Sequence, residues 1–274
     1  MKDDLILPPR PSRLKKGAVV ATIVVALYGV LAYAALPWAW THYEHQRGLK
    51  GLPMVTRTAQ DIPGDPLNVG LVGSREDLAR AMIAAGWSPA DPITWRTSLE
   101  IAGSVLLDRP YPDAPVSPLF YLGRREDLAY EKEIGSSADR RHHVRFWKTL
   151  DSGEEGRPVW LGSATFDRGS GLSHYTGQIT HHIAPDLDAE RDLLIGDLVG
   201  AGMVTTLYQV SGIGPTLNGR NGEGDRYYTD GEIHMAVLVA DGQKTTQVPT
   251  KLPSPGLVSL KDALWKQGAN SLKK

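Results

Sequence analysis

Residues 140–148 read RRHHVRFWK. On an extended chain successive side chains point to opposite faces. One face then carries Arg141, His143, Arg145 and Trp147; the other carries His142, Val144 and Phe146. The second set reads as the core side. The first set is expected to lie off the main core. A register slip of one residue would swap the faces and bury two guanidiniums. An unpaired buried charge costs several kcal/mol, comparable with the net stability of a domain. Each arginine therefore needs solvent, a carboxylate or an anionic ligand.

Neighbouring segments supply candidates for both roles. DLAYEKE, 127–133, places Asp127, Ala129 and Glu131 on one face, where the acids can pair with Arg141 and Arg145 across a sheet. HYTGQITHHI, 174–183, places His174, Thr176, Gln178, Thr180 and His182 on one side and Tyr175, Ile179 and Ile183 on the other. If the polar faces of 140–148 and 174–183 adjoin, they form an anion-receiving surface of Arg141, His143, Arg145, His174, Gln178 and His182.

Further out, LFYLG at 119–123, PVWLGSATF at 158–166, LNVGLV at 67–72, MVTTLYQV at 203–210 and EIHMAVLVA at 232–240 also read as strands. Helices follow Ser74, with Asp77 as the acid of a capping box and Gly86 closing it, and follow the acids of 186–190. ITWRTSLEIAGSVLLDRP, 93–110, is predicted as another helix. The glycine-rich stretch 212–231 lacks a GK[ST] and reads as a long loop rather than a phosphate loop. The expected class is α+β, a mainly antiparallel sheet with helices packed on one face, preceded by one transmembrane helix.

That helix is GAVVATIVVALYGVLAYAAL, 17–36, which contains no charge. At about 1.5 Å per residue it spans about 30 Å, a bilayer core. Lys2, Arg10, Arg13, Lys15 and Lys16 precede it, and Trp38, Trp40 and Tyr43 follow as an interfacial belt. The positive-inside rule keeps the N-terminus in the cytoplasm and sends the rest across an inner membrane. Ala32–Ala34 also has the small-x-small form of a signal-peptidase site, but the apolar run exceeds a typical signal core of about 7–15 residues. The reading taken is an uncleaved anchor. The expected organisation is a cytoplasmic segment 1–16, an anchor 17–40, a linker 41–60, a domain 61–245 and a flexible tail 246–274 with room for a short helix near Leu260–Lys266.

The 274 residues carry a formal charge of -1, which argues against a nucleic-acid partner, and no cysteine, which removes thiolate chemistry and cysteine-held metals. No metal or other cofactor is expected. His142–His143 and His181–His182 are adjacent and point apart on a strand. His174 and His182 would stand about 26 Å apart on an unbroken strand, unless it breaks between them, at Gly177 for instance. No G-x-S-x-G elbow is present.

Several blocks, in order, carry a family resemblance: DPLNVGLVGSREDLARAMIAAGW, DRPYPDAPVSPLFYLGRREDLAYEKE, RRHHVRFW, WLGSATFDRG, GQITHHIAPDLDAERD and GRNGEGD with YTDG after it. From about Asp65 to Val239 the chain resembles the LssY C-terminal domain family. Its members occur alone behind one membrane anchor, or fused behind DedA-like membrane proteins and type-2 phosphatidic-acid-phosphatase domains. The resemblance implies a membrane setting and transfers no catalytic residue. Three functional expectations follow: a module binding a lipid phosphate or another anionic envelope component; a hydrolase of a lipid-linked phosphate, with His143 and His182 as acid/base candidates; or a scaffold of an envelope complex.

Overall fold

The computed structural model describes residues 13–35, 45–90, 118–134, 140–177, 179–211 and 218–268. The chain divides into two units, Met1–His42 and Tyr43–Lys274. The first holds helix α1, Arg13–Val30, prolonged by a π-helical turn, Leu31–Ala35. Lys15–Ala35 is, by length and composition, able to cross a membrane, a test that a signal sequence also passes. Its run of valines is a weak helix former in water. In hydrocarbon the helix is the one state in which a lone segment satisfies its own backbone. Trp38, Trp40 and Tyr43 lie outside the described residues, as do the segments 93–110 and 111–117.

The second unit is α+β. Its large sheet runs β15-β11-β14-β3-β9-β8-β7-β4, with β10 also on β9. In chain order these are β3 Val69–Val72, β4 Ser88–Pro89, β7 Leu128–Glu133, β8 Arg141–Leu150, β9 Val159–Leu172, β10 Ile179–Ile183, β11 Val204–Val210, β14 Ile233–Leu238 and β15 Thr250–Lys251. Pairing is antiparallel except at β3–β14 and β11–β15, so the sheet is mixed. A smaller antiparallel sheet joins β1 Val55–Thr58, β2 Pro63–Pro66, β5 Leu119–Tyr121 and β6 Arg124–Arg125.

Helix α2, Arg75–Ala84, begins at the expected capping box: Ser74 Oγ accepts from Asp77 N at 3.0 Å, and Ser74 N donates to Asp77 Oδ2 at 3.1 Å. Helix α3, Leu187–Gly200, is capped by Asp186, which accepts from Ala189 N. Leu78, Met82, Leu194 and Leu198 from these helices share one core with Val144, Phe146, Trp160 and Ala164 from β8 and β9. Burying a Leu or Phe side chain contributes about 1.5–3 kcal/mol, so this face anchors the fold. Trp147 belongs to a second core on the other side, with Leu161, Met235, Leu119, Tyr121 and Leu49.

Three expectations change. The linker 41–60 is partly structural: Leu49 is buried and β1 lies within it. The long loop 212–231 contains a hairpin, β12 Asn218–Arg220 with β13 Arg226–Tyr228. The tail 246–274 is not all flexible, since it supplies β15, and the short helix expected near Leu260–Lys266 is the longer helix α4, Gly256–Gly268. That helix is held by Lys261 to Glu232, and by Trp265 Nε1 donating to Asp188 at 3.0 Å.

Candidate functional site

Strand β8 alternates as its sequence requires. His142, Val144 and Phe146 face the helices; His142 Nδ1 lies 2.6 Å from Glu190, and its ring packs on Phe166. Arg141, His143 and Arg145 take the opposite face, away from that core. They do not reach open solvent: all three are buried. Parity chooses a side but cannot foresee a second layer. Here the small sheet and the β12–β13 hairpin contribute Thr58, Leu119, Asn221, Gly222 and Glu223 over the strand.

Under that cover lies a cavity of about 40 Å³. A water needs about 10–15 Å³ by the same measure, so there is space for a few waters or one small polar group. β8 supplies His143 and Arg145; β9 supplies Ser163, Thr165 and Asp167; β10 supplies Thr180, His181 and Ile183; Asp65 stands at the end of β2. Pairing explains the convergence, since Arg145 sits opposite Ser163, His143 opposite Thr165 and Arg141 opposite Asp167.

The two arginines have different fates. Arg141 is bound by Glu131 at 2.9 Å and Asp167 at 3.4 Å. Arg145, 7% exposed, makes no ion pair or side-chain hydrogen bond among the described residues. Asp127, an expected partner, is taken by Arg124 and by the backbone N of Lys148. The Ser163 hydroxyl beside Arg145 is also buried without a hydrogen-bond partner among the described residues.

Burial dominates the titration of this cluster. It pushes Asp65 up to about 6, although the Arg145 charge and a 3.0 Å hydrogen bond from Asn221 pull the other way. It also raises Asp167 and Glu131, against the pull of Arg141. His143 is held well below its ordinary value by burial first and then by the charges of Arg145 and Arg141. At neutral pH it is therefore a neutral imidazole.

His182 does not join His143 and Arg145, contrary to expectation. The neighbouring His181 lines the cavity instead. The cause is register: on β9, Asp167 opposes Ile183 but Gly169 opposes His182, so Arg168 is an extra, bulged residue. The bulge turns Ile183 and His181 toward Asp167, and His182 to the other side. There it meets His174, with ring centroids 5.4 Å apart. The 26 Å separation of an unbroken strand does not hold, because the chain turns through residues 173–177, with Gly177 at φ 68°, before β10 begins. Gln178 lies outside the described residues.

A family model described as LssY C-terminus matches residues 49–233, about two thirds of the chain. The chain belongs to the LssY C-terminal domain family. No curated protein and no solved structure matches it. Within the LssY domain, reasoning from periodicity missed Asp65, Asp167, His181 and Asp225. Asp65 and Asp225 stand at a strand end and in a loop, where no period marks them, and Asp167 lies beyond residue 166, where the strand was expected to stop, although β9 continues to Leu172. Their one signal was membership of the blocks DPLNVG, SATFDRG and NGEGD that carry the family resemblance.

Proposed function

We propose that the chain is a single-pass protein anchored in the inner membrane, N-terminus in the cytoplasm, whose LssY domain binds an anionic group of the envelope, a lipid phosphate foremost. The observation that carries this is Arg145. The residue is buried, no carboxylate among the described residues contacts its guanidinium, and Asp65 and Asp167 act on it only through their charges from a distance; folds retain such a group where a ligand completes it. The orphan Ser163 hydroxyl, Thr165 and Thr180 surround it with further donors, and neutral His143 adds no negative charge. Helices α2 and α3 pack against one face of β8 and β9, and the cavity on the opposite face of these strands is left for recognition. The uncharged segment 17–36, its basic flank and the company kept by family members support the membrane setting.

The full chain, held in nanodiscs of neutral lipid, is titrated with a short-chain phosphatidic acid and with a soluble polyprenyl phosphate. Binding is expected, with affinity about 10–100-fold weaker in Arg145→Met, the equivalent of one charge-assisted hydrogen bond or a bidentate pair. Absence of binding in the wild type, or equal binding in the variant, refutes the reading.

A second reading, hydrolysis of a lipid-linked phosphate, is favoured by one observation. Asp65, raised to about 6 and so able to exchange its proton near working pH, shares the cavity with the neutral imidazole of His143. His143 and Asp65 would carry the proton transfers, and His182, outside the cavity, would not. Phosphate release from the bound probe, abolished in Asp65→Asn, distinguishes this from binding alone. A scaffold role would draw on Leu257, Leu260 and Leu264, which lie exposed along one side of α4.

A further inference from the structure

Where the cavity's strands end, a different cluster runs from the buried Asp225 out to the exposed His174. His174, His182 and Asp225 each bring a donor atom within 4.8 Å of the other two, at the mouth of a depression of about 370 Å³ that Arg168 and Gly169 complete. We propose that these three residues form a site for a divalent transition-metal ion of the zinc class.

The donor set suits that class: two imidazoles and one carboxylate, with no thiolate. With metal–donor distances of about 2.0–2.1 Å, tetrahedral ligands lie about 3.3 Å apart, against donors within 4.8 Å of one another here, and His174 is the exposed member of the set. The site is also held in place. Asp225 Oδ1 lies 2.9 Å from His182 Nδ1, while its Oδ2 accepts from Ile183 N at 3.0 Å, which fixes the carboxylate. Asp225 N donates to Asn221 Oδ1 and His174 N to Glu223 O, both at 2.9 Å, which ties the hairpin loop to the turn before β10.

Two glycines make room for the rings. A Cβ on Gly171 would stand 2.5 Å from His182 Nε2, and one on Gly224, where φ is 90°, would stand 2.7 Å from His174 Cβ. Three protein ligands, of which Asp225 is buried, His182 half-buried and His174 exposed, leave coordination positions on the solvent side for water or for an oxygen of a substrate, the pattern of catalytic rather than structural zinc. The proposal stands independently of anion binding at Arg145, since none of the three residues is needed there.

The full chain, purified in detergent without a histidine tag, is dialysed against Zn²⁺ and, separately, Co²⁺. The expected result is one ion per chain, with a Co²⁺ visible spectrum of four- or five-coordination. His174→Ala, exposed and safe for the fold, should weaken uptake at least tenfold, and Asp225→Asn should do the same. His234→Ala, on the far strand β14, should leave it unchanged. No stoichiometric uptake by the wild type, or uptake that survives His174→Ala, overturns the site.

Discussion

Arg191 and Arg145 are both buried arginines of one domain, 2% and 7% exposed, and they are treated in opposite ways. Arg191, on α3, is saturated. It donates twice to Asp230 at 2.7 and 3.0 Å, to Asp192 at 2.9 Å, to Asp188 at 3.3 Å and to the carbonyl of Glu232 at 3.2 Å. Asp188 in turn accepts from Thr229, the backbone N of Asp230 and Trp265. This network ties α3, the loop before β14 and α4 into one unit. Arg145 has no such partners and looks into a cavity. A protein can satisfy an arginine internally, and this one does so at Arg191. The unsatisfied one is therefore informative.

The sharpest way to break this contrast is to remove each guanidinium in turn. Arg191→Ala leaves Asp188 and Asp230 buried without their cation, and a loss of about 3–5 kcal/mol is expected in thermal or denaturant unfolding of the full chain. Arg145→Met removes a charge that no carboxylate among the described residues contacts and that Asp65 and Asp167 balance only from a distance, so stability should change by less than about 1 kcal/mol, in either direction. If both variants lose stability equally, Arg145 is structural and the comparison fails.

How much of this was legible follows the same division. The faces of β8 were readable because a strand has a period of two, and the capping box of α2 because its two residues are local. The depth of Arg141 and Arg145 was not. Burial on that side draws on β2, built from PGDP, whose residues have poor strand propensity. Nor was the exchange of His182 for His181, since one bulged residue at Arg168 inverts a strand's relation to its neighbour while leaving its own alternation intact. The satisfied arginine was equally hidden: DLDAERD read as a helix start, yet Asp188 and Glu190 bind Arg191 and His142.

Asp65 sharpens the contrast from the side of the anion. Its folded value is near 6, against an ordinary 3.8. Below pH 4 the carboxyl is protonated in folded and unfolded chains alike; above 6 it is ionised in both, and only the folded chain bears the buried charge. Asp65 thus lowers stability as pH rises from about 4 to 6. Asp65→Asn should stabilise the chain by about 2–3 kcal/mol at pH 7.5 and hardly at all at pH 4. The same proton governs the ligand. A bound anion favours protonated Asp65, so affinity should fall as pH rises through about 6, and Asp65→Asn should flatten that dependence. A gain of equal size at both pH values would mean that Asp65 does not titrate where burial places it.

The smallest effect tests the cavity most directly. Ser163 sits opposite Arg145 on β9, 3% exposed, and its hydroxyl has no hydrogen-bond partner among the described residues. A buried hydroxyl with no partner is worse than a methyl group. Ser163→Ala removes one oxygen, leaves no sizeable void and should raise stability by about 1 kcal/mol. If the hydroxyl donates to a bound anion, the same change should weaken binding by about two- to tenfold, the worth of one neutral donor. Gain in stability with loss of affinity marks a side chain kept for the ligand. Gain in stability with unchanged affinity would place the anion elsewhere, and would leave Arg145 as a buried charge without a purpose in binding.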